Sequence, residues 1–123
     1  PGFAGSPLGW EQFLVAAATD GGGQPFCFVH YDRAGNGLWM YSSDVGFFLG
    51  PVAPGVASNA LDSSACTVNP AGTTVQNVGG SLVLNVPLSF KAPMSGTKNT
   101  YLRSHDALNR DSGFQLKGTW TIP

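Results

Sequence analysis

A chain of 123 residues has room for one domain, which would bury roughly two-thirds of its unfolded surface around a single core. Only 11% of the residues are charged, so Ser, Thr, Asn and Gly must form most of the wet surface. The net charge of −1, with Lys and Arg scattered, speaks against capture of nucleic acid or anionic lipid, and no apolar run approaches the length of a membrane-spanning helix.

Taken in chain order, Pro1 to Gly9 is rich in Gly and Pro and predicts an irregular entry segment. Trp10, Phe13, Leu14 and Ala17 fall at helical spacing, but the stretch is short. The reading preferred is a turn at Trp10-Glu11-Gln12, then a strand from Phe13 to Thr19, ended by the Asp20-Gly21-Gly22-Gly23 loop. Pro25 to Asp32 and Leu38 to Ser42 form the best hairpin, with Asn36-Gly37 suited to positive φ. From Ser43 to Ser64 the pattern dissolves. Gly and Pro interrupt Asp44 to Gly55 and forbid a regular central strand there, so Phe47 and Phe48 are expected in a loop, either tucked into one end of the core or facing a ligand.

A strand around Cys66 to Val68 leads to another at Thr73 to Val78, then through Gly79-Gly80 to the alternating run Ser81 to Phe90. Pro87 within that run predicts an edge or a bulge. Tyr101 to Asp106 and Phe114 to Ile122 complete the set. About seven short strands and no long helix predict an all-β fold, an antiparallel β-sandwich of immunoglobulin-like type over residues 1–123.

Cys27 and Cys66 lie in predicted strands, 39 positions apart. Such a spacing suits an inter-strand disulfide, which would stabilise the fold by roughly 4 kcal/mol in the chain-entropy model. Two free buried thiols are the alternative. Low charge and high Ser, Thr and Gly content favour an oxidising compartment and hence the disulfide.

The order Phe26 to Asp32, Leu38-Trp39-Met40-Tyr41, Asp44, Ala65 to Val68, Leu82-Val83-Leu84 with Phe90, Gly96 to Leu102, Ser112 to Gln115 and Gly118-Thr119-Trp120 resembles a group of Ig-like modules found, often repeated or appended, in large secreted proteins of soil bacteria. The similarity is a pattern over roughly residues 9–123 rather than one sharp motif. It implies paired cysteines, a non-catalytic module and a secreted location. The strand that such modules carry before Gly9-Trp10 is missing here or reduced to Gly2-Phe3-Ala4, which implies an open sheet edge or a docked partner strand. The opening Pro1-Gly2-Phe3 reads as processed or excised, so a longer parent polypeptide is expected.

Candidate chemistry is sparse. His30 and His105 each have an Asp nearby, Asp32 and Asp106, and two His with a carboxylate could make a facial triad, although no spacing brings their strands together. No G-x-S-x-G elbow exists, and Glu11 is the only glutamate, which leaves paired-carboxylate hydrolysis without its pair. Asp106, Asn109 and Asp111 offer hard oxygens for calcium, but Arg110 intervenes and turns favour the same residues. The aromatics Trp10, Trp39, Trp120, Tyr31, Tyr41 and Tyr101 could stack on sugar rings or fill the core. Parity decides for one pair: with Leu38 and Met40 inside, Trp39 and Tyr41 form an exposed stripe beside His30.

The expectation is a secreted, disulfide-closed, non-catalytic accessory module that needs no cofactor and serves binding, adhesion or spacing within a larger extracellular protein. Its contact surface would comprise Trp39, Tyr41, Phe47 and Phe48, beside His30, and its partner a polysaccharide or another protein surface. The alternatives are a carbohydrate-binding module and a small metal-dependent enzyme using His30 and His105.

Overall fold

The computed structural model describes residues 8–19, 25–78, 81–106 and 111–123. These form an all-β, antiparallel structure of ten strands with no α-helix, more strands than the seven or so expected. The strands are β1 (Leu8–Ala16), β2 (Cys27–Asp32), β3 (Gly37–Ser42), β4 (Phe47–Val52), β5 (Cys66–Val68), β6 (Thr74–Val78), β7 (Ser81–Asn85), β8 (Leu88–Phe90), β9 (Gly96–Asp106) and β10 (Gln115–Ile122). A six-stranded sheet runs β10-β9-β1-β2-β3-β4, and two small sheets pair β5 with β8 and β6 with β7.

The central hairpin follows directly from residue type. Cys27, Val29 and Tyr31 of β2 are buried on one face, alternating with half-buried Phe28 and His30 on the other. Tyr31 pairs with Leu38 and Val29 with Met40, so the same face continues into β3. Asn36 closes the turn at φ 49°, a left-handed conformation that Asn tolerates, and its side-chain oxygen accepts the Tyr31 hydroxyl at 2.7 Å.

β1 corrects the expected turn at Trp10-Glu11-Gln12 and the expected irregular segment up to Gly9. The strand begins at Leu8 and pairs with β2 on one side and β9 on the other. Apolar residues occur on both of its faces, Phe13 and Val15 on one and Trp10, Leu14 and Ala16 on the other. A strand apolar on both faces loses its period-2 signature, and the remaining spacing imitates a helix. Residues 1–7, 20–24 and 79–80 lie outside the described residues, and with them the Gly2-Phe3-Ala4 segment and the Gly-rich loops.

Phe47–Val52 is likewise a strand where a loop was expected. It forms the edge of the large sheet, pairing only with β3, and an edge is where Pro51 costs no ladder hydrogen bond. Gly50 is required there: at φ 111°, an added Cβ would lie 2.7 Å from the Leu38 carbonyl oxygen. Pro87 does more than mark an edge. It splits the alternating run in two, so that β7 pairs with β6 while β8 crosses to β5.

The main core lies on one face of the large sheet. Val15, Cys27, Val29, Tyr31, Leu38 and Met40 meet Leu61, Ala65, Cys66 and Val68, with Val75, Leu84 and Leu88 of the small sheets packed alongside. Cys27 and Cys66 are disulfide-bonded with Cα atoms 5.9 Å apart, joining β2 to β5 through the centre of this core. The Met40 sulfur touches the Cys66 sulfur at 3.8 Å.

Met40 is fully buried, so Met40→Ala should cost about 3 kcal/mol by urea unfolding. The Cys27→Ala/Cys66→Ala pair should cost a similar amount, because the loop between them then regains its freedom in the unfolded chain.

Candidate functional site

The opposite face of the six-stranded sheet is aromatic. With Leu38 and Met40 fully buried in the core, Trp39 and Tyr41 point the other way. The register sets His30 beside Trp39, and Phe28 beside Tyr41, which in turn pairs with Phe48. On the other side of β2, Gln12 lies opposite His30 and Leu14 opposite Phe28, and β1 then pairs Trp10 with His105 of β9. Alternation in each strand thus delivers the same face five times over.

The rings form a continuous chain. Phe114 meets Phe28 at 5.8 Å between centroids, Phe28 meets Phe48 at 5.7 Å, and Phe48 meets His30 at 5.8 Å. His30 lies 5.4 Å from Trp10, which stacks almost parallel on His105 at 5.0 Å. Tyr41 joins through edge contact with Phe48 at 5.4 Å. The edge-on and offset geometries match the quadrupoles of the rings, so the face is an ordered array rather than a loose apolar patch. Leu14, Ala16 and Tyr101 are buried beneath Phe26, Phe28 and Phe114. Among the described residues no strand packs over this face.

Polar groups are threaded between the rings. The Arg103 guanidinium carbon lies 5.3 Å from the Trp10 ring and 5.4 Å from the Phe114 ring, a cation–π position toward both. Asp111 holds it there, with Arg103 Nη2 donating to Oδ2 at 2.6 Å and Nε to Oδ1 at 3.0 Å. That guanidinium lowers the Asp111 carboxyl to about 2. Gln12 Nε2 donates to His30 Nδ1 at 3.1 Å, which suits a neutral imidazole protonated on Nε2, while Gln12 Oε1 is buried without a partner among the described residues. Burial holds the His30 imidazole below its ordinary value, opposed by the nearby Asp32 carboxylate.

The candidates named from the sequence separate as follows. His30, Trp39, Tyr41 and Phe48 share the aromatic face. Phe47 does not: it pairs with buried Ser42 of the core face, so its ring leaves on the opposite side of the sheet, 58% exposed. Neither phenylalanine is tucked into the core, since Phe48 is 37% exposed. Tyr31 and Trp120 belong to the core side, where Trp120 meets Phe90 edge-on at 4.8 Å. His30 and His105 are both brought against Trp10, with the indole touching each. Among the described residues no three His, Cys, Asp or Glu side chains group to hold a metal ion. Of the calcium candidates, Asp111 is engaged by Arg103, the side chain of Asp106 is not described, and Asn109 lies outside the described residues.

Phe28, Arg103 and Phe114 complete the array without having been singled out as ligand contacts, and Trp10, named only among the rings that could stack on sugars or fill the core, joins it. The missed feature was the length of β1: once Trp10 is in a strand, its parity with Gln12 and Leu14 places it on the face of His30. No protein-family model, curated protein or solved structure matches the chain.

The sign of the pH effect follows from His30. Its folded value lies below the ordinary 6.5, so the unfolded chain takes up the proton first as the pH falls. The stability that neutral His30 confers is present above about pH 6.5 and is lost progressively below it. Urea unfolding of wild type and His30→Gln between about pH 8 and pH 5 should show a steeper loss in wild type below pH 6.5.

Proposed function

We propose that this chain is a non-catalytic, secreted Ig-like β-sandwich module that binds polysaccharide on the aromatic face of its large sheet. The observation that carries this reading is the unbroken ring array running from Phe114 through Phe28, Phe48 and His30 to Trp10 and His105, on the face that no described strand covers. A sugar ring offers one apolar face of C–H groups and a rim of hydroxyls. Trp39, Tyr41 and Phe48 supply flat apolar surface, and His30, Arg103 and the Tyr41 hydroxyl supply polar contacts at its margin. Large exposed or half-exposed apolar arrays with interspersed polar groups mark interaction surfaces.

Several further features support an extracellular accessory role. The Cys27–Cys66 bond suits an oxidising compartment, and no helix among the described residues is long and apolar enough to cross a membrane. The resemblance to Ig-like modules of large secreted proteins points the same way and suggests that the face is presented from a longer polypeptide. Both histidines pack against the Trp10 ring on this face, which suits a stacking surface.

Depletion of the protein from solution by insoluble cellulose, chitin and xylan tests the reading. Wild type should be retained by at least one polymer, and Trp39→Ala/Tyr41→Ala should weaken retention by tenfold or more, about 1.4 kcal/mol. Phe47→Ala, whose ring leaves on the opposite side of the sheet, should bind as wild type does. Retention unchanged in the double variant would remove the aromatic face from the account.

A further inference from the structure

On the core side of the large sheet, at the end away from the β3–β4 turn, lies a partly open cavity of about 270 Å³. Its floor is Glu11 and Phe13 of β1 with Val29 and Tyr31 of β2, and its roof is Leu84 of β7 and Leu88 of β8. Trp120 stands at its rim, 41% exposed. At the roughly 30 Å³ that each water occupies in the liquid, this is space for about nine waters, and equally for a ligand of about nine non-hydrogen atoms. The lining is mainly apolar, and its polar residues are Glu11, Gln12 and Tyr31. Glu11 brings a carboxylate into a lining that contains no lysine, arginine or histidine among the described residues.

That carboxylate is half-buried, and burial pushes it above its ordinary value, opposed by the positive charge of the chain's amino terminus and by the Ser104 hydrogen bond. Its Oε2 accepts from the Ser104 hydroxyl at 3.5 Å, a long contact, and a carboxylate has about four acceptor positions, so capacity is left for a second donor. The other polar side chains are engaged elsewhere: the Tyr31 hydroxyl donates to Asn36 Oδ1, and Gln12 Nε2 donates to His30 Nδ1 on the opposite face of the sheet. Phe13, Tyr31 and Trp120 add ring faces, which favour a cation over an anion or a neutral polar group. An apolar wall with one desolvated carboxylate is complementary to an apolar body with one cationic donor.

We propose that this cavity binds a small apolar primary amine, its ammonium on the Glu11 carboxylate and its hydrocarbon body against Phe13, Leu84 and Leu88. The site lies on the opposite face from the aromatic array and is independent of polysaccharide binding. An ammonium there donates up to three hydrogen bonds, one of them to the carboxylate, and replaces the water that a bare carboxylate would otherwise hold.

Calorimetric titration with 2-phenylethylamine and with 2-phenylethanol, near pH 7, tests the proposal. The amine should bind at least tenfold more tightly than the alcohol, which matches it in size and lacks the charge. Glu11→Gln should erase that preference, and Leu84→Phe, which fills the roof, should weaken both ligands. Trp39→Ala should change neither, which separates this cavity from cation–π capture on the aromatic face. Equal affinity for amine and alcohol in wild type, or no measurable binding of the amine, would overturn the proposal. So would a preference for the amine that survives Glu11→Gln. Should Glu11→Gln fail to fold, the wild-type comparison decides together with amide chemical shifts: amine-induced shifts at Phe13 and Leu84 support the cavity, and shifts confined to Trp39 and Tyr41 refute it.

Discussion

The parity of the pleated β2–β3 hairpin governs both faces of this protein. Successive side chains on a strand leave on opposite sides, so committing Cys27 to the core commits Val29 and Tyr31 with it and sends Phe28 and His30 outward. Cross-strand pairing carries that choice to Leu38 and Met40 inside and to Trp39 and Tyr41 outside. A slip of one residue would put the rings in the core and the aliphatic residues in water. The Cys27–Cys66 bond works against such a slip, because it ties one named position of β2 to β5 across the core.

A sheet that is apolar on both faces sets the problem that the rest of the molecule answers. On one face the answer is visible: the small sheets and the segment around Leu61 and Ala65 cover the aliphatic residues. On the other, the rings cover one another, with Phe26, Phe28 and Phe114 closing over Leu14, Ala16 and Tyr101. Among the described residues this second cluster draws on no strand of the small sheets, and Phe48 keeps 37% of its surface exposed. The Arg103–Asp111 pair contributes by holding a cation over Trp10 and Phe114, less through net ion-pair energy at a surface position than by fixing ring geometry. At the margins, the two edge strands differ in protection. β4 carries Gly50 and Pro51, while β10 carries Lys117 beside a register shift at Leu116/Gly118, both means of discouraging further strand addition.

Where the chain alternates cleanly, residue type was enough. The β2–β3 hairpin, its Asn36 turn, the cysteine pairing and β10 could all be located to within one or two residues, and so could the conditional placement of Trp39 and Tyr41. Two kinds of segment were harder to read. In β1 the alternation is hidden because the main core covers one face and the aromatic rings cover the other, so no polar residue punctuates the pattern except Glu11 and Gln12, which imitated a turn. In β4 the breakers Gly50 and Pro51 were correct evidence against a central strand and said nothing against an edge.

The amino-acid order alone determined the all-β class, the preferred disulfide and the two-sided character of the hairpin, because these depend on local alternation and on residue chemistry. Which strands became neighbours was decided only by the tertiary structure, because pairing joins residues far apart in the chain. Trp10 reaches His105 across 95 positions, and Glu11 reaches Leu84 and Leu88 across the core. The aromatic array and the carboxylate-bearing cavity both arise from these distant pairings, so neither is visible until β1 is set between β2 and β9.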